Sequence, residues 1–79
     1  MKLFEHKGYY VSFCDDVGVN EGGYYCQVYT DNWMCYEIDN FVIRKSQISS
    51  LDKEDIARKY IDDNIEFYNQ NQIKFEIIK

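Results

Sequence analysis

Four side chains, His6, Cys14, Cys26 and Cys35, are of the types that bind zinc. Their spacing argues against such a site. Structural zinc sites carry a close cysteine pair on a knuckle, whereas these cysteines lie 12 and 9 residues apart. On alternating strands Cys26 would also face away from Cys14 and Cys35, and strand cysteines ordinarily serve as small hydrophobes. His6, the only histidine, is also the only imidazole base for a nucleophilic thiol, and no flanking motif accompanies it. Asp15-Asp16 and Asp62-Asp63 are adjacent carboxylates, but sequence neighbours point apart on a strand or helix, so they read as solvated acids. Gly18-x-x-x-Gly22-Gly23 has the glycines of a phosphate loop, yet Glu21 lies within it and Asp15-Asp16 precede it, a setting that repels phosphate. The same stretch lacks the ligand spacing and terminal glutamate of a helix-flanked calcium loop. The expectation is a protein with no catalytic residues, no metal and no cofactor.

What remains is a surface. Between Lys7 and Arg44 run 36 residues without a lysine or arginine, and they hold six acids: Asp15, Asp16, Glu21, Asp31, Glu37 and Asp39. This stretch therefore carries a net −6 and the rest of the chain +1, making up the overall −5. Ordinary surfaces mix both signs, so the charge belongs to one structural element.

That element reads as a three-stranded antiparallel meander. Tyr9 to Cys14 and Tyr24 to Thr30 are aromatic and β-branched runs, separated by the glycine-rich turn Val17 to Gly23. Asp31-Asn32 then turns into a third strand from Trp33 to about Ile38, resuming at Phe41 to Ile43 after the polar Asp39-Asn40. Leu3 to Lys7 extends the first strand past Gly8. The period then changes. Ser50 is the expected N-cap, with Asp52, Glu54 and Asp55 opposing the positive helix end. Ile56, Ala57, Tyr60, Ile61, Ile65 and Tyr68 fall on one helical stripe, with Asn64 as a buried hydrogen bonder within it. Glu54–Arg58, Asp55–Lys59 and Lys59–Asp63 form i,i+4 pairs on the other face. The helix should stop near Asn69 to Asn71, and Gln72 to Ile78 alternates as a fourth strand, parallel to a neighbour after a right-handed crossover. The fold class expected is α+β, ordered β-β-β-α-β, in a single domain over residues 1–79 with the helix on one sheet face.

If Tyr9, Val11, Phe13, Tyr24, Cys26, Val28, Met34, Tyr36 and Ile38 face the helix, the uncovered face shows Tyr10, Ser12, Cys14, Tyr25, Gln27, Tyr29, Trp33, Cys35 and Glu37. Tyrosine and tryptophan give large contact area at small entropic cost, and acids around them steer a basic partner. The candidate partner-binding residues are thus Tyr10, Asp15, Asp16, Glu21, Tyr25, Tyr29, Asp31, Trp33 and Glu37. A solvated, tyrosine-bearing sheet face is the plainer reading of the same pattern.

With 79 residues and a pI of about 4.6, the chain suits neither direct nucleic-acid binding nor a membrane. Three cysteines make no disulfide framework, and the polar start makes no signal peptide, so a reducing compartment is expected. One alanine against nine isoleucines and seven lysines suggests an AT-rich bacterial, phage or plasmid genome, and hence the bacterial cytoplasm. The sequence points to a non-enzymatic inhibitor of a basic nucleic-acid-handling protein, of the anti-CRISPR or anti-restriction kind. Two alternatives share the size and charge: an immunity protein of a nuclease toxin, and an assembly protein that self-associates through a sheet edge. The expected state is monomer or homodimer.

Overall fold

The computed structural model describes residues 3–48 and 50–78, with side chains as far as residue 70. Four strands, β1 (Phe4–His6), β2 (Tyr9–Asp15), β3 (Tyr24–Tyr29) and β4 (Glu37–Ile43), form one antiparallel sheet in chain order. A short helix α1 (Lys45–Ile48) and a long helix α2 (Lys53–Ile78) follow.

The α+β class holds, but the order of elements does not follow β-β-β-α-β. The fourth strand of the sheet is β1, before the meander. Lys7 and Gly8 both take positive φ, 54° and 84°, and His6 pairs with Tyr9 across them, so the chain reverses in two residues. Gln72 to Ile78 continues α2 instead of forming a strand. No glycine or proline stands at Asn69 to Gln72 to end the helix, and extending a formed helix is easier than stopping it without a cap. Among the described residues there is accordingly no crossover and no parallel pair.

The third meander strand also lies elsewhere. Trp33 to Tyr36 belong to a loop, and β4 starts at Glu37 and runs unbroken through Asp39-Asn40. A bulge between Val28 and Tyr29 in the pairing with β4 sets this register. Helix α2 begins after Asp52, whose carbonyl accepts from the Ile56 N–H at 3.1 Å. Ser50 instead donates its hydroxyl to the Gln47 carbonyl at 3.4 Å. Gln47 in turn caps α1, its Oε1 accepting the Arg44 N–H at 2.9 Å.

The core lies between α2 and one sheet face. Tyr9 and Val11 of β2, Cys26 and Val28 of β3 and Ile43 of β4 are buried against Ala57, Ile61 and Tyr68 of the helix. Phe41 stacks on Tyr60 with centroids 4.1 Å apart, and Tyr9 meets Tyr68 at 5.1 Å. Burial raises the Tyr9 hydroxyl pKa, and that hydroxyl donates to Asn69 Oδ1 at 2.6 Å. Asn64 is half-buried and donates to the Tyr60 carbonyl at 2.8 Å. Among the described residues no helix is long and apolar enough to cross a membrane.

Candidate functional site

The nine candidate residues divide between the two ends of the sheet. Asp15 ends β2 and pairs with Tyr24, while Tyr10 pairs with Tyr29, which in turn pairs with Glu37. Five residues of β3 at roughly 3.3 Å each separate the two ends by about 17 Å.

At the first end, Asp15 and Glu21 are exposed on either side of a 3-10 turn, Gly18–Asn20. Asp16 braces this loop. Its two oxygens accept from Asn20 Nδ2 at 2.8 Å and from the Val17 N–H at 2.9 Å, which hold the carboxyl below its ordinary pKa. Asn20 ties the loop to the end of β4, donating to the Ile43 carbonyl and accepting the Lys45 N–H at 3.2 Å each. The start of α1 therefore lies against this loop; the Lys45 Cβ is 3.6 Å from where a side chain on Gly22 would begin. Tyr25, opposite Cys14 and Val42, is 37% exposed near this end.

The second end carries the more prominent side chains. Trp33 is not on the sheet face, as the alternation predicts, but on the loop between β3 and β4, where it is 81% exposed. Met34 and Tyr36 are exposed on the same loop and do not face the helix; Met34 takes a positive φ of 59°. The loop is closed by the Thr30 N–H donating to the Tyr36 carbonyl at 3.3 Å and by the Cys35 N–H donating to Asp31 Oδ1 at 3.1 Å. Glu37 is exposed and accepts from Gln27 Nε2 at 2.8 Å and Asn40 Nδ2 at 3.3 Å. Ser12, expected on the uncovered face, is only 6% exposed and donates to Gln27 at 3.3 Å, so hydrogen bonds run from β2 across β3 to the Glu37 carboxylate of β4. Tyr10 is half-buried, and Tyr29 is only 6% exposed, which removes it from the accessible face.

Asp39 is the acid the sequence pattern places wrongly. It is paired with Val28 on the helix side, and its Oδ2 accepts hydroxyls from Tyr60 at 2.9 Å and Tyr68 at 2.7 Å. It joins sheet to helix and adds little to the outer surface.

The ion pairs complete the picture. Among the described residues, His6 and Lys7 pair with Asp62 at 2.8 Å, Arg58 with Asp55 at 2.5 Å and Lys59 with Asp63 at 3.3 Å. Every acid in these pairs lies on α2. Lys53 stands over the rings of Phe13 and Tyr24, and Arg58 over Phe4, at 4.7–5.1 Å. None of the acids of the meander has a cation within ion-pair distance among the described residues.

The cysteines do not converge. Cys26 is fully buried, and its thiol is pushed up to about 12, chiefly by desolvation. Cys14 and Cys35 are exposed, Cys14 on β2 and Cys35 on the far loop. Among the described residues no three His, Cys, Asp or Glu side chains gather as a metal set. No family model, curated protein or solved structure matches the chain.

Proposed function

We propose that this protein is a small non-enzymatic inhibitor that binds a basic, nucleic-acid-handling protein. It would act in a bacterial cell, encoded by a phage or mobile element, on a CRISPR or restriction nuclease. The observation that carries this reading is the distribution of ion pairs. Among the described residues, Lys7, Arg58 and Lys59 are paired with helix acids and Lys53 stands over aromatic rings, while Asp15, Glu21, Asp31 and Glu37 hold hydrogen bonds from neutral donors or none. Uncompensated carboxylates near exposed Trp33 and Tyr25 are arranged to steer and then hold a positively charged surface.

The test is retention of partners by the tagged protein in lysate from a bacterium with CRISPR and restriction systems. The expected result is a basic nuclease or effector subunit that elutes as salt rises. Asp15→Lys with Glu21→Lys should weaken its retention without lowering the melting temperature; Asp16 is left alone because it braces the loop. Recovery of the protein alone, or of partners indifferent to salt and charge reversal, refutes the reading. A second reading has its own observation: β4 is a sheet edge of seven residues without lysine or proline to protect it. A concentration-dependent dimer in light scattering favours self-assembly through that edge.

A further inference from the structure

We propose that the loop between β3 and β4 is a seat for an arginine side chain of the basic partner. This rests on the inhibitor reading and names the chemistry of its main contact. Trp33, the only tryptophan, is 81% exposed on a loop that two hydrogen bonds hold closed. An ordered backbone that presents an indole to water has already lost the entropy that binding would otherwise remove. Tyr36 stands three residues on, half exposed, and Asp31 and Glu37 flank the pair. Both carboxylates are oriented by neutral donors, the Cys35 amide for Asp31 and the Gln27 and Asn40 amides for Glu37, so their charge is fixed in place and not neutralised.

Exposed aromatic rings on a loop flanked by fixed carboxylates match the guanidinium group better than any other common cation. It is planar, stacks on indole, and forks onto carboxylate oxygens, whereas a lysine ammonium is a compact and strongly hydrated charge. The other end of the sheet does not compete for this role. It lies about 17 Å away, beyond the roughly 8 Å screening length at physiological salt, and its most exposed aromatic, Tyr25, is only 37% exposed against 81% for Trp33.

The lone tryptophan reports directly on the seat. The probes are an octapeptide of arginine and one of lysine, titrated at 0.15 M salt while Trp33 emission is followed. The arginine peptide is expected to change the emission saturably and to bind about fivefold or more tighter than the lysine peptide. Asp31→Asn with Glu37→Gln keeps acceptors for the loop amides and should remove that preference. Asp15→Asn with Glu21→Gln should leave it within twofold. Equal binding of the two peptides, no response of Trp33, or equal loss in both double variants overturns the seat. The native-partner experiment separates this failure from that of the broader reading. A basic partner retained by wild type and by Trp33→Ala alike overturns the arginine seat and leaves the inhibitor standing.

Discussion

Asp39→Ala is the perturbation whose magnitude follows most directly from the structure. One carboxylate oxygen accepts two phenolic hydroxyls from the helix, at 2.7 and 2.9 Å. Hydrogen bonds to a charged group contribute about 1.5–3 kcal/mol each, and a buried donor left without a partner costs about 1–3 kcal/mol. Tyr68 is 1% exposed and cannot turn to water, whereas Tyr60 is half-buried and can recover part of its bond. The expected loss is therefore about 3–4 kcal/mol, against a total of about 4–12 kcal/mol for a chain of this length. Asp39→Asn retains an acceptor and should lose about 1–2 kcal/mol, and Tyr68→Phe a similar amount. Urea melts followed by far-ultraviolet circular dichroism give all three values. The double variant Asp39→Ala/Tyr68→Phe should be less destabilised than the sum of its parts, because the orphaned hydroxyl has gone. A melt for Asp39→Ala within 0.5 kcal/mol of wild type, or strict additivity in the cycle, would refute the claim that this acid is a strut.

The same cluster predicts an alkaline limit. Burial first, then the hydrogen bond and charge of Asp39, push the Tyr60 hydroxyl up to about 12, so its stabilisation is complete below about 10 and is lost as pH rises towards 12; Tyr60→Phe should flatten that limb of a pH–stability curve. Lys7 first and then His6 hold the Asp62 carboxyl below its ordinary range, so this contribution is present above the usual carboxylate pKa and disappears as pH falls through the lowered value. Asp62→Asn should make acid melts less steep in pH, and an unchanged acid limb would discount the pair. Gly23→Ala would drive a methyl group into the Ile43 carbonyl and the Asn20 amide. Thermal melts should show a loss of about 1–3 kcal/mol, and a neutral result would mean the loop can shift.

The inner face of the first two meander strands was legible in the sequence because burial on one side imposes a period of two. Tyr9, Val11, Cys26 and Val28 are buried as the alternation predicts. The third strand was not, and the reasons are specific. Trp33 to Ile38 alternates well, but Met34 adopts a left-handed backbone for which methionine gives no signal, and the bulge opposite Tyr29 moves the register. Asp39-Asn40 looks like a break because the partners that make an acid tolerable there, Tyr60 and Tyr68, lie 21 and 29 residues away. The Gln72 to Ile78 segment shows the opposite failure: its alternation is real, but a helix already formed needs a stop signal that the chain does not supply. Of the candidate site, the residue types were legible and the grouping was not, since grouping depends on which loop each residue joins.

That grouping changes what kind of acidic surface this is. A continuous acidic stretch in the sequence need not be a continuous acidic surface in space: Asp16 is taken up in bracing its loop and Asp39 turns inward. A mimic of a nucleic-acid backbone would carry carboxylates at regular intervals along one line, as phosphates are carried. Here two small sets stand about 17 Å apart, with Tyr25 and Gln27 of β3 between them. Under the proposed inhibitor reading, such a surface would divide the work, the Asp15–Glu21 end contributing to long-range attraction and the Trp33 end to residence time. Reversing charge at Asp15 and Glu21 should then slow association and flatten its salt dependence, while Trp33→Ala should speed dissociation. Identical kinetic effects from both changes would restore the picture of a single continuous acidic strip.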